Sequence, residues 1–314
     1  MKGWLTAALC LYLAAAPLYA DTPVPDTAPT KLTDRVYVIQ GPRSLPNKTN
    51  GSFTNNPVVV LTREGVVVID PGGSLGAGEM ILRQIKKLTK LPVVAVFNSH
   101  YHADHWMGND AFARAYPKAP IYADATMIKA FKGGKGKEWY DRFMGLTEGT
   151  IKSTKLVGPT TAIEPGQSVK IGGLTFQTIH PEKSHTEGDL MVQIVEEGAL
   201  FLSDTCSFKS VGRMDDGSFY GARDAMQVAL DTGAPVMIPG HGPSGGREIA
   251  QDCANYYNDL LRVVIDRFRE GEDQLSMKPK VLEAMSAYQD WREFDTGFGK
   301  HLSLSYLEVE EREF

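Results

Sequence analysis

Apolar, β-branched runs at 36–39, 58–61 and 66–69 have the length and composition of strands, and Arg63-Glu64-Gly65 between the last two predicts a hairpin. After Asp70-Pro71-Gly72-Gly73, the apolar residues Met80, Ile81, Ile85 and Leu88 recur along one side of a helix predicted over 78–90. A strand at 93–97 follows, so strand, helix and strand predict a crossover. The second half alternates in the same way, with strands at 174–179, 191–195, 199–202 and 236–238 and a helix at 223–230. Two helices, 246–269 and 280–287, are predicted to close the chain, and the Gly/Lys-rich stretch 132–137 reads as a mobile loop with solvated lysines. The alternation predicts an α/β domain over 32–270, with 271–314 as a helical extension of the same domain and no internal repeat.

Ahead of that domain, Met1-Lys2, an apolar run over 4–16 and the segment Pro17-Leu18-Tyr19-Ala20 have the layout of a secretory signal, which predicts cleavage after Ala20 and a periplasmic or secreted protein. Bulky Leu18 leaves a retained single-helix anchor as the alternative, while Leu9 before Cys10 argues against lipidation there. Residues 21–31, rich in Pro and Thr, are expected to form an extended lead-in. No later run is long and apolar enough to span a bilayer, so no membrane partner is expected after cleavage. At 314 residues, 42% hydrophobic and 23% charged, the chain can bury a substantial core without cross-links. Its 33 basic and 38 acidic residues give a formal charge of -5 with no dense basic cluster, which excludes nucleic acid as an expected partner. Three cysteines without C-x-x-C spacing define neither a disulfide scaffold nor a zinc ribbon; whether Cys206 and Cys253 pair stays open.

Candidate chemistry lies in the histidines. Of seven, three fall in the segment Asn98-Ser99-His100-Tyr101-His102-Ala103-Asp104-His105. Chance would produce such an H-x-H-x-D-H match in a chain of this length with a probability on the order of 10⁻⁴. The segment follows the strand at 93–97, the end at which α/β folds place their sites. Period two puts His100 and His102 on one face, and a turn after them presents Asp104 and His105 to a neighbouring position, giving two adjacent ligand sets. Imidazole and carboxylate are zinc-compatible donors.

This motif resembles that of the metallo-β-lactamase superfamily, and the likeness runs from about Asp34 to the helix after Gly246. The strand 66–70 ending in Asp70, the segment Ser184-His185-Thr186-Glu187-Gly188-Asp189, Phe201-Leu202-Ser203-Asp204-Thr205 and Pro239-Gly240-His241-Gly242 resemble its other signature segments, in the family's order. The resemblance implies a four-layer αββα sandwich with metals at one edge between the sheets. It further implies His100, His102 and His185 on a first metal, Asp104, His105 and His241 on a second, and Asp204 bridging the two. His102 stands where diiron flavoprotein relatives carry an acid, and Asp204 where one group of β-lactamases carries cysteine. The pattern is therefore more similar to the thioesterase, lactonase and general hydrolase members. The stretches around Met214-Asp215-Asp216-Gly217-Ser218 and Pro239-Gly240-His241-Gly242-Pro243 are similar to secreted members linked with sulfur-oxidation and quinoprotein-relay systems.

Two Zn²⁺ ions per chain are the expected cofactors, with iron or manganese also compatible with a bridging carboxylate. Two such ions acidify a shared water and polarise a scissile group, so the expected enzyme is a hydrolase of a small ester, thioester, lactone or amide, β-lactams included. Asp104 is the expected catalytic proton carrier. The alternatives are a phosphodiesterase, disfavoured by the acidic charge, and a non-catalytic metal-binding partner of a periplasmic sulfur or quinoprotein redox system; the oligomeric state stays open. His180 and His301 are expected to play no metal role, Cys206 a structural one, and Tyr101, Trp106 and Tyr220 a packing one. Asp70 divides between a turn cap and a hydrogen-bond partner for a ligating histidine. Lys183 and Ser184 are expected in a solvated loop.

Overall fold

The computed structural model describes residues 24–313, so the predicted signal segment 1–20 lies outside the described residues. The first sheet runs in chain order: β1 (Thr30–Lys31), β2 (Val36–Val38), β3 (Val58–Leu61), β4 (Val66–Ile69), β5 (Val93–Phe97), β6 (Ile121–Asp124) and β7 (Thr161–Ile163). Pairing is antiparallel from β1 to β4 and parallel from β4 to β7. Leu61 pairs with Val66 across the predicted hairpin, and Thr62 N donates to Gly65 O to close it. The second sheet, in spatial order, is β12 (Val236–Ile238), β11 (Ala199–Phe201), β10 (Met191–Ile194), β9 (Leu174–Ile179) and β8 (Ser168–Ile171), with only β11 and β12 parallel.

Four layers follow from period-two burial. On β4, Val67 and Ile69 meet Phe176, Val192 and Phe201 of the second sheet, while Val66 and Val68 face the other way. Those outward residues pack against Met80, Ile81 and Ile85 of α1 (Leu75–Leu88) and Phe112 of α2 (Asn109–Ala115). Across the molecule, Met191, Leu200 and Met237 pack against α5 (Phe219–Asp231) and α6 (Glu248–Arg269). The expected αββα sandwich is thus the architecture observed.

Boundaries moved where side chains cap or glycine permits contact. Ser74 accepts from Ala77 N and starts α1 three residues before the predicted position. Gly78, the predicted first residue of the helix, is interior, and a Cβ there would lie 2.6 Å from Gly108 O, where α1 crosses the turn before α2. The predicted loop at 132–137 is instead a wide helical turn joining α3 (Ala125–Ala130) to α4 (Gly136–Leu146), with Gly134 at φ 113°. Phe131 anchors that turn edge-on to Trp106, at 4.8 Å between ring centroids, while Lys132 and Lys137 remain exposed.

The C-terminal prediction also needs correcting. In place of a helix at 280–287, α7 spans Gln274–Ala284 with Pro279 inside it, and a further helix, α8, spans Phe294–Glu313. Both join the core built on α6. Among the described residues no helix is long and apolar enough to cross a membrane. Cys206 and Cys253 form a disulfide with Cα atoms 5.9 Å apart, which settles their pairing and removes Cys206 as a thiolate ligand.

Candidate metal centre

All seven residues singled out in the sequence converge at one edge of the sandwich, as His100, His102, His185 and Asp204 in one group and Asp104, His105 and His241 in the other. Within each group the nearest donor atoms lie within 4.8 Å of one another. The first four residues of the motif region leave the C-terminal end of β5, and a short helical turn at Ala103–His105 redirects Asp104 and His105 toward the second group. His185 comes from the loop between β9 and β10, Asp204 from the turn after β11, and His241 from the loop after β12. Asp204 lies between the groups: its Oδ1 is 3.4 Å from His105 Nε2, and its Oδ2 is 3.3 Å from His241 Nε2 and 3.6 Å from His185 Nε2.

The imidazoles are aimed by their outward nitrogens. His105 Nδ1 is 2.7 Å from Asp70 Oδ2, and Asp70 also accepts from Ser99 N and Ser99 Oγ. That settles Asp70 as a histidine partner rather than a turn cap. His241 Nδ1 donates to Thr54 O at 2.9 Å, which leaves its Nε2 lone pair facing inward. His102 Nε2 faces Asp216 Oδ2 at 3.2 Å, so its Nδ1 turns to the cluster, 2.9 Å from His185 Nε2. His100 Nδ1 lies 2.9 Å from Ser99 Oγ. Asp189 holds the loop carrying His185 by accepting from the backbone N–H groups of His185 and Thr186. Thr54 Oγ1 donates to Asp104 Oδ2 at 3.0 Å.

The backbone is shaped for the same purpose. Asp70 and Ser203 both adopt left-handed φ, 54° and 56°, directly beside the cluster, a conformation uncommon for residues other than glycine. Gly240 is required next to Asp204, because a Cβ at that position would come within 1.9 Å of Asp204 Oδ1.

Electrostatically the group of Asp104, His105 and His241 favours positive charge. Burial alone would lower His241, but the carboxylates of Asp204 and Asp104 raise its pKa to about 10. His105, fully buried, is likewise pushed well above its usual range by Asp204, Asp104 and Asp70. Asp204 is held well below the carboxylate range, the charges of His241 and His105 outweighing its burial. On the first group's side, burial drives His102 down to about 3 and His100 well below its usual value.

A cavity of about 200 Å³ opens over the cluster and is lined by His102, Asp104, His185, Asp204 and His241 together with Trp139 and several arginines. The Trp139 ring lies 4.1 Å from that of His102. Sequence reasoning missed Thr54, Trp139 and the role of Asp216, none of which is set by a local pattern, while Asp189 lay in a segment already quoted but was given no role. The bland expectations agree with the structure. His180 pairs with Asp124, and His301 is buried against Tyr256. Trp106 donates to Tyr101 O inside the core, and Tyr220 is buried. Ser184, expected in a solvated loop, is instead buried with its hydroxyl on Asp189, because the His185 loop is part of the site; Lys183 is exposed.

Comparison with known proteins agrees with this layout. A hydroxyacylglutathione hydrolase of Gloeobacter violaceus is 28% identical over 192 residues, 60% of this chain and 62% of the relative. A linear primary-alkylsulfatase of a Pseudomonas species is 21% identical over 276 residues, 76% of this chain and 52% of the relative. The chain therefore spans between half and two thirds of these relatives' own lengths. Among solved structures, a metallo-beta-lactamase from Pontibacter korlensis superposes with a TM-score of 0.59 at 21% identity, over 74% of this chain and 98% of that one, which shows a shared fold. The family model of the metallo-beta-lactamase superfamily matches residues 51–241 of the 314, more than half of the chain and every residue of the cluster, and the chain belongs to that superfamily.

Proposed function

We propose that this protein is an exported, dinuclear metal-dependent hydrolase of a small ester, thioester, lactone or amide, with sulfate esters and β-lactams within reach of the same centre. The observation that carries the reading is the set of buried atoms aimed into the cluster without a proper hydrogen bond: His100 Nε2, and His105 Nε2 and Asp204 Oδ1, which face each other at 3.4 Å without forming one. Unpaired buried polar atoms are costly, and a cation accepting their lone pairs removes that cost. The residues therefore fit a pair of divalent ions, with His100, His102 and His185 on one, Asp104, His105 and His241 on the other, and Asp204 between them. Nitrogen and oxygen donors favour zinc, with iron or manganese as alternatives.

Bound there, two such ions supply Lewis acidity, acidifying a water and polarising the scissile group. The chain's own residues do the rest. Asp70 and Asp216 fix the rings of His105 and His102, so the donors are oriented before substrate arrives. Thr54 holds Asp104 Oδ2, leaving Asp104 Oδ1 to take the proton of the attacking water and return it to the leaving atom. Asp104 lines the cavity, as that role requires. Export is supported by the Cys206–Cys253 disulfide, a bond that persists in oxidising compartments.

The test is elemental analysis of the purified protein, followed by assays on a thioester, a lactone, a chromogenic cephalosporin and an alkyl sulfate before and after metal stripping. We expect two ions per chain and turnover that disappears on stripping and returns on reloading. Asp104→Asn is expected to lose turnover by about 10²-fold or more. Two bound ions with no turnover of any substrate would favour a metal-binding accessory protein instead.

A further inference from the structure

The cavity's outer wall is cationic although the chain as a whole is acidic, with a formal charge of -5. Arg43, Arg142, Arg213 and Arg292 line it, and of its acids Asp104 and Asp204 are turned to the cluster histidines. Two of the arginines are committed elsewhere. Arg213 Nε lies 3.2 Å from Asp215, and the Arg142 guanidinium stacks over Trp139 at 5.3 Å. The other two share one acid of the cavity wall, Glu293, and so keep a net positive charge between them. Arg43 donates from Nη2 to the carbonyls of Phe208 and Lys209, at 3.0 and 2.9 Å, which orients the guanidinium without cancelling its charge. Arg292 has a loose, exposed contact with Glu293, at 3.4 Å, while its backbone is fixed by hydrogen bonds to Lys209 O and from Val211 N.

One loop, 207–211, thus holds both arginines, and it directly follows Asp204 and the disulfide. Burial and then the charge of Arg292 lower the pKa of Arg43, with Glu293 opposing, as expected for like charges held near each other and only partly compensated. Such an arrangement is stabilised by an anion between or beside the forks, which Arg recognises in bidentate geometry. Neither arginine lies in the family-matched segment 51–241.

We propose that Arg43 and Arg292 form an anion-docking subsite at the rim of the cavity, and that the substrate is an ester or thioester carrying a second, anionic group of the carboxylate or sulfonate type. Leu45, Phe143 and Leu146 in the same wall give its carbon skeleton an apolar surface. This inference rests on the hydrolase reading above.

The experiment compares two matched thioesters on the metal-loaded enzyme, S-phenyl monothiosuccinate with a free carboxylate and neutral S-phenyl thiobutanoate. The readout is the ratio of their kcat/KM values. Wild type is expected to favour the anionic compound by roughly 10- to 100-fold. Arg292→Gln and Arg43→Gln should each pull the ratio toward one through a rise in KM for the anionic compound, with Arg43→Lys and Arg292→Lys restoring part of it. A wild-type ratio near one, or a ratio unchanged in both Gln variants, overturns the subsite while leaving hydrolysis intact. Should neither thioester be turned over, thioesters are excluded as substrates and calorimetry with naphthalene-1-sulfonate decides the subsite separately. At least tenfold weaker binding to the Arg43→Gln/Arg292→Gln protein than to wild type supports it, and equal binding overturns it.

Discussion

Asp216 illustrates how much of the centre depends on residues that are not ligands. Its carboxylate is drawn down to about 2, chiefly by the hydrogen bond from His102, with burial opposing. Burial meanwhile keeps His102 neutral, so a neutral N–H meets a charged acceptor. Loss of that acceptor frees the ring to rotate. Asp216→Ala is therefore expected to weaken metal binding at the first site by about 10- to 100-fold, read by competition with a chromophoric chelator. Unchanged affinity would remove the orienting role. Four of the proposed ligands were legible because three histidines and an acid crowd into one short motif, and His185, Asp204 and His241 only through the resemblance of their segments to the family's. Their supports were not, since Asp216 lies 114 positions from His102 and Thr54 lies 50 from Asp104, separations across which no local pattern survives.

At the level of elements, the sandwich strands were readable because both faces of β4 and β5 are covered, which makes them unbroken apolar runs. Short strands such as β6 and β7, and helices α2 to α4 around the site, were missed because their buried positions mix with polar ones. The last helix, α8, escaped for a related reason. Its inner stripe of Phe294, Phe298, His301, Leu302, Ser305 and Val309 has helical spacing but includes a histidine and a serine. The disulfide, too, required coordinates: it ties the segment following Asp204 to α6 across 47 positions. Replacing both cysteines by serine is expected to destabilise the protein by about 2–4 kcal/mol, measured by urea unfolding under non-reducing conditions. A midpoint equal to that of wild type would show that the cross-link constrains nothing the fold does not already hold.

For the molecule as a whole, the closing segment is fastened by a buried histidine. His301 Nδ1 lies 2.8 Å from Tyr256 Oη on α6, and its Nε2 is 2.6 Å from Gly212 O. Burial lowers its pKa to about 4, against Gly212 O and Asp215, which favour the charged form, while Lys300 adds to the lowering. The unfolded chain therefore binds the proton first as pH falls. The stabilisation is complete above pH 6.5, declines between 6.5 and 4 by at most about 3 kcal/mol, and then levels off. Thermal melts from pH 7.5 to 4.5 should show that decline, and His301→Gln should flatten it relative to wild type, the cluster histidines being common to both proteins. An identical slope in the variant would assign the acid sensitivity to other groups.

The hydrogen bonds between Arg292 and the 209–211 backbone have one more consequence, for the order in which the protein is made. Every histidine and aspartate of the cluster has been synthesised by position 241, but one side of the chamber above it arrives only with the stretch leading into α8. A nascent chain can therefore gather its imidazoles early, and acquires a finished entrance only as its final helix docks.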